Sequence, residues 1–309
     1  MNAPLWRCAP AWQGRSDPED GRRALRMHHC IQPQAARAVA GFACDIGVRR
    51  NHGRAGAAEG PTALRRALAN LAAPETFAFT DLGDVAPDTD DLEAAQSAMT
   101  GLLAARLPQH DRIVLFGGGH ETALASYCGL RDAFPHQRIG ILNLDAHLDL
   151  RALGAAGGTS GTPFFQIRNL DPARFDYVCL GVARESNTEA LIARAKDWDV
   201  GVITDEALMA DPGAGETLID ALVARNDLMY LTMCLDVLPA AQAPGVSAPA
   251  VRGLPLAIVE RIIGHVLGHA ARGAVALKLC DIVELSPPHD IAAITARTAA
   301  YLARRLLID

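Results

Sequence analysis

The stretch LNLDAHLDLR, residues 142–151, decides how this sequence is read. An apolar run ends there in Asp145, His147 and Asp149 at alternate positions. Positions two apart in an extended chain share a face, so the three side chains are expected to converge where the strand leaves the core. Burying two carboxylates and an imidazole together costs several kcal/mol unless a cation or another partner compensates them. The pattern therefore predicts a metal centre. Carboxylate oxygens combined with imidazole suit manganese, iron or zinc, and a carboxylate able to bridge suggests two ions.

Working outward, short apolar runs alternate with longer helical ones along the chain. Strands are expected over residues 41–48, 76–85, 112–119, 138–145, 176–183, 199–206, 228–237 and 274–285, with amphipathic helical segments between them. Alternation of this kind predicts a three-layer αβα fold, with a mostly parallel sheet of about eight strands covered by helices on both faces. One domain over 1–309 is expected, with residues 1–40 as an N-terminal arm. Ligands of open parallel sheets bind beyond the carboxyl ends of the strands. Four expected strands end in unusual residues: RIVLF runs into GGGHE, ILNLD into AHLDLR, LTMCLD into VLPAAQAPGVSAPA, and LKLCDIVE into LSPPHD. These ends nominate His120 after its three glycines, and Cys234 and Asp236 two apart, as companions of the aspartate–histidine cluster.

Composition narrows the function classes. Half of the 309 residues are hydrophobic and 21% are charged, an ordinary globular balance. A formal net charge of −6 and a pI near 5.9 give no electrostatic reason to expect nucleic acid or an anionic membrane as partner. The seven cysteines are odd in number, widely spaced and mostly set in apolar runs, so they read as reduced, buried thiols of a cytoplasmic protein. No window approaches the roughly 18 uncharged apolar residues of a membrane helix, and the N-terminus lacks the apolar segment of a signal peptide.

The segments GGGHE, DAHLDLR and LDVLPAAQAPGVSAPA together resemble the metal-binding segments of the ureohydrolase superfamily, the family of arginases and agmatinases. That resemblance implies two manganese ions. His120, Asp145 and Asp149 match ligands of the first; Asp145, His147 and Asp236 match ligands of the second, with Asp145 bridging. The chain departs from the pattern at Cys234, which stands where the family carries a second bridging aspartate. A thiolate there would favour zinc or iron, and a neutral thiol would weaken the second site.

WQGRSDPEDG, GFACDIGVRRNHGRAGAAEGPTALR, GGTSGTPFFQI and LGVARESNTEAL extend the resemblance from Trp12 to about Asp290, and they resemble the formimidoylglutamase branch specifically. The implied reaction is hydrolysis of N-formimidoyl-L-glutamate to L-glutamate and formamide, in histidine degradation, by attack of a metal-bound hydroxide. On this reading Glu284 accepts hydrogen bonds from the formimidoyl cation, and Asp149 shuttles a proton to the leaving amine. The substrate carries two carboxylates. Arg151 offers a bidentate fork for one of them, and Asn51, Arg54, Arg184, Ser160 and Thr162 are further candidates for binding it. Arg49 and Arg50 lie in the same early loop as Asn51 and Arg54.

Arginases carry a further histidine after the aspartate–histidine cluster. Here no histidine stands between His147 and His265. Ile46 is a second departure, since an acidic residue is expected at its place. Family resemblance also implies a trimer or hexamer. Two other readings fit the same residues: a ureohydrolase acting on agmatine or a guanidino acid, and a metal-poor protein that binds a metabolite without turning it over. His265 and His269, one helical turn apart with no acid between them and no nearby acidic partner, read as a polar helix face rather than a zinc site.

Overall fold

Among the described residues nine strands form one sheet, in the order β1-β3-β2-β4-β9-β8-β5-β6-β7. They are β1 Trp6–Arg7, β2 Arg37–Phe42, β3 Phe79–Val85, β4 Arg112–Phe116, β5 Ile139–Leu144, β6 Asp176–Val182, β7 Gly201–Thr204, β8 Leu228–Cys234 and β9 Ala276–Val283. This computed structural model describes residues 5–309, so residues 1–4 of the expected arm lie outside the described residues. All strand pairings are parallel except β1 with β3. The eight expected strands are thus joined by a short antiparallel one, and the stretch expected as an arm supplies β1 and the start of β2.

Among the described residues ten α-helices cover the sheet: α1 Ile46–Arg50, α2 Gly60–Ala69, α3 Leu92–Arg106, α4 Thr122–Ala133, α5 Pro163–Leu170, α6 Glu189–Asp197, α7 Asp205–Ala210, α8 Pro212–Arg225, α9 Leu256–Ala271 and α10 Ile294–Ile308. Alternate strand residues point into two separate cores, as the period of an extended chain requires. Leu142, Leu144, Leu231 and Met233 face α2, α8, α9 and α10, whereas Ile141, Tyr177, Tyr230 and Leu279 face α3 to α6. β5 and β8 are buried along their whole length, which explains their near-continuous apolar sequence.

Two boundaries differ from expectation in ways that matter for the site. The strand expected over 41–48 runs over Arg37–Phe42 instead, and IGVRR forms α1. Pairing with β3 on one side and β4 on the other fixes that strand against weak local propensity. Ile46, where an acid is expected, is buried in the α3–α4 core. The strand carrying LNLD stops at Leu144, so Asp145, His147 and Asp149 belong to a loop. None of the helices among the described residues is long and apolar enough to cross a membrane.

Candidate active site

The four strands whose ends carry unusual residues, β4, β9, β8 and β5, are consecutive neighbours in the sheet. Their carboxyl ends open into a cleft of about 320 Å³ with His120, His147, Asp149, Cys234, Asp236 and Glu284 on its walls. Asp145 lies beneath them, fully buried.

The convergence expected from strand alternation is real, but a bent loop produces it. Asp149 adopts a left-handed backbone with φ 48°, and Glu284 after β9 does the same with φ 70°. Such conformations are costly for residues with a Cβ and persist where the surroundings impose them. Asn187 imposes part of this one. Its amide donates to the carbonyls of Ala146 (2.9 Å) and Ala183 (2.8 Å), and its oxygen accepts the Leu148 N–H (3.0 Å).

The glycines before His120 serve close packing; none of the three has a positive φ. A Cβ on Gly118 would lie 1.8 Å from the Cys44 carbonyl, and one on Gly119 would lie 2.1 Å from Glu121 Oε2. Glu121 is buried and its Oε1 accepts the Gly47 N–H (2.8 Å), tying α1 to the GGGHE turn. Burial raises its pKa to about 7.

His120 Nε2 faces the Thr232 hydroxyl (3.0 Å), which leaves Nδ1 toward the carboxylates, 2.9 Å from Asp145 Oδ2 and 3.0 Å from Asp149 Oδ2. His147 Nδ1 lies 3.1 Å from Asp236 Oδ2 and 3.5 Å from Asp145 Oδ1. Asn143 donates to Asp145 Oδ2 (3.1 Å), and the His147 N–H donates to Asp145 Oδ1 (2.7 Å). Burial would raise the Asp145 pKa, but His120 and His147 hold it below the ordinary carboxylate range. Asp149 and Asp236 are pushed up, by burial first and then by the charge of Asp145. Glu284 is raised by burial and by the neighbouring Glu121 and Asp236. Burial also keeps the Cys234 thiol neutral, far above its usual range.

These carboxylates repel one another and are only partly matched by imidazoles. Among the described residues, His120 Nδ1, Asp236 Oδ1 and Glu284 Oε2 are buried without a hydrogen-bond partner. His120, Asp145 and Cys234 bring ligand atoms within 4.8 Å of one another, and so do Asp145, His147 and Asp236. Asp145 is common to both groups. The donor set fits divalent cations, because a cation relieves the repulsion and engages the orphaned atoms together.

Asn51, Arg54, Arg151, Ser160 and Ser247 also line the cleft. The Asn51 amide donates to Ser160 Oγ (3.2 Å). Arg54 is fixed on backbone, its guanidinium donating to the carbonyls of Val246 and Ser247. Two expected binders are elsewhere. Thr162 is buried, and its hydroxyl accepts the Thr159 N–H (2.8 Å) as part of the turn entering α5. Arg184 is exposed in a turn after β6 and faces a different pocket, beside Lys196 and Asp199. Arg49 and Arg50 are engaged by Asp90 (2.7 Å) and Glu93 (2.8 Å).

Sequence reasoning missed Asn187, Asn143, Thr232 and Glu121. A polar residue inside an apolar run, as in ILNLD and LTMC, was an available signal for Asn143 and Thr232. Nothing local marked Asn187.

A three-layer αβα protein with an imidazole–carboxylate cluster at the carboxyl end of a parallel sheet is the class that fold and cleft define. The chain belongs to the arginase family, whose model matches residues 35–308. A formimidoylglutamase of Ralstonia nicotianae is 48% identical over 315 residues, which cover 96% of this chain and 94% of that protein. A crystal structure of Trypanosoma cruzi formiminoglutamase with Mn2+ is 25% identical with a TM-score of 0.78, covering 89% of this chain and 93% of that one. Formimidoylglutamase from Bacillus subtilis shares the fold, with a TM-score of 0.84 at 22% identity over 97% of this chain and 95% of its own.

Proposed function

We propose that the chain is a metal-dependent hydrolase that converts N-formimidoyl-L-glutamate to L-glutamate and formamide, as a step of cytoplasmic histidine degradation. The observation that carries this reading is the group of four carboxylates, Asp145, Asp236 and Glu284 buried and Asp149 partly exposed, which lie under a rim bearing Arg54 and Arg151. Curated relatives of that name, similar over nearly the whole chain, support it.

His120, Asp145, His147, Asp149, Cys234 and Asp236 would hold two divalent ions, manganese by analogy with the Trypanosoma cruzi protein. Bound there, the ions supply Lewis acidity and lower the pKa of water toward neutrality. The chain's own residues do the rest. Glu284 turns its unpartnered Oε2 toward the amidinium nitrogen, where a carboxylate favours the cationic substrate. Hydroxide adds to the formimidoyl carbon, and the bond from that carbon to the glutamate nitrogen breaks as Asp149 delivers a proton to the departing amine. The formimidoyl carbon leaves as formamide, with the added oxygen and the terminal amidine nitrogen. Arg151, Asn51, Arg54 and Ser160 receive the glutamate carboxylates. Thr162 would support the loop that presents Ser160, and Arg184 would take no part in binding. The whole chain would act as one catalytic unit, assembled into a trimer or hexamer.

Product analysis tests this reading. The manganese-loaded protein, incubated in parallel with N-formimidoyl-L-glutamate, agmatine and arginine, is expected to release formamide and glutamate from the first and no urea from the others. Urea from agmatine would overturn the substrate assignment. No product from any of the three, with metal content verified, would overturn the enzymatic one.

A further inference from the structure

Outside the cleft, one cluster of ligand-type side chains among the described residues has no part in the proposed reaction. His265 and His269 stand one turn apart on α9, and Asp220 of α8 reaches both. The expectation of a histidine pair without an acidic partner fails here, because sequence distance hid a contact made across two helices. Asp220 Oδ1 lies 2.7 Å from His265 Nε2 and 2.6 Å from His269 Nε2, and the two Nε2 atoms are 3.3 Å apart. The imidazoles are 24% and 14% exposed and the carboxylate is 55% exposed, so an ion reaches the site from solvent.

We propose that Asp220, His265 and His269 form a zinc site that staples α8 to α9. Ligand nitrogens at tetrahedral zinc lie about 3.3 Å from each other, given bonds of about 2.0–2.1 Å. The two imidazoles already have that separation. The carboxylate oxygen stands closer than a zinc ligand would, and on the exposed side it has room to withdraw. Two imidazoles and one carboxylate, with a position open to water, suit zinc better than manganese. This separates the surface site from the carboxylate-rich cleft.

The surrounding charges permit it. Arg261 is neutralised by Glu216 at 2.7 Å. Arg272 stands 3.4 Å from His269 Nδ1 and is exposed, so it swings clear when that nitrogen carries the proton. His269 lies in the last turn of α9, where the helix dipole favours a cation. The staple would hold together the two helices that lead directly into β8 and β9, the strands that end at Cys234 and at Val283, just before Glu284.

The test is zinc binding to the manganese-loaded full chain by equilibrium dialysis and metal analysis, beside His265→Asn/His269→Asn and Asp220→Asn. The cleft is common to all three, so the difference reads the surface site. Circular dichroism checks that each variant is folded. The wild type is expected to bind one zinc per chain more than the double variant. Asp220→Asn should lose at least about tenfold in affinity, since loss of a mere outer-shell partner already costs about 10–100-fold. Zinc should also raise the thermal midpoint of the wild type more than that of the double variant. Equal stoichiometry and affinity in wild type and double variant would overturn the site. Unchanged affinity in Asp220→Asn would overturn the three-ligand staple.

Discussion

Two of the groups of buried charges among the described residues are built on different principles. In the first, Arg65 of α2 pairs with Asp81 at 2.8 Å and with Asp84 at 2.7 Å, both on β3. The Trp12 indole and the Gly83 N–H complete the hydrogen bonds of Asp81. Gly41 makes room for Asp84, much as Gly119 makes room for Glu121. In the second, at the carboxyl ends of β4, β9, β8 and β5, four carboxylates share two imidazoles. The first group finds its counter-charge within the chain. The second relies on imidazoles, whose charge is not permanent as a guanidinium's is, and it faces a cleft. A compensated cluster holds the fold together, whereas an uncompensated one awaits a ligand from outside.

The comparison breaks most sharply at Asp145. Asp145→Asn removes the carboxylate shared by both proposed ion sites, and the rate of formimidoylglutamate hydrolysis is expected to fall roughly 10³-fold or more. Manganese bound per chain should fall with it. The metal-free protein should lose some stability as well, because His120 and His147 favour the charged form of Asp145, so rate and metal content are read per folded molecule. Wild-type rate and metal content in this variant would dismantle the centre as drawn. Arg65→Met should do the reverse. Stranding Asp81 and Asp84 without their cation is expected to cost about 3–5 kcal/mol in urea unfolding, while activity per folded molecule stays near wild type. Retained stability would mean that the Arg65 cluster is as uncompensated as the cleft.

The cleft could be anticipated from sequence because its ligand-type side chains cluster locally: Asp145, His147 and Asp149 lie within five residues, and Cys234 and Asp236 within three. The alternation of apolar runs carried the αβα layering for the same reason, since strand and helix periods are local properties. What escaped was set by distance. The adjacency of β4, β9, β8 and β5 depends on β8 and β9 inserting between strands formed much earlier in the chain. Asn187 clamps a loop some 40 residues away in the sequence, its amide reaching Ala146 across 41 positions. Asp220 meets His269 across 49. Even a correct conclusion carried a wrong reason: the aspartates converge through a left-handed turn at Asp149, which strand periodicity does not encode.

The same contrast separates two arginines. Arg65 is 3% exposed and spends its guanidinium on Asp81 and Asp84. Arg151 is exposed at the cleft rim, and among the described residues its guanidinium makes no hydrogen bond or ion pair. Its stem runs against Gly161, where a Cβ would come within 2.9 Å of Cδ. That glycine leaves the fork room to lie over the cleft. A free fork above buried carboxylates suits a substrate carboxylate held away from the reacting carbon. Binding at a distance is shared by ground and transition states, so it shows in KM and little in kcat. Arg151→Met is therefore expected to raise KM about tenfold, or about 1.4 kcal/mol, with kcat within about twofold of wild type. Arg151→Lys should fall between, keeping the charge but losing the second donor. Neither substitution should move the urea midpoint, because an exposed and unpaired side chain contributes little to folding. Steady-state kinetics on the three proteins decides the matter: an unchanged KM in Arg151→Met would transfer carboxylate recognition to Arg54 and Asn51.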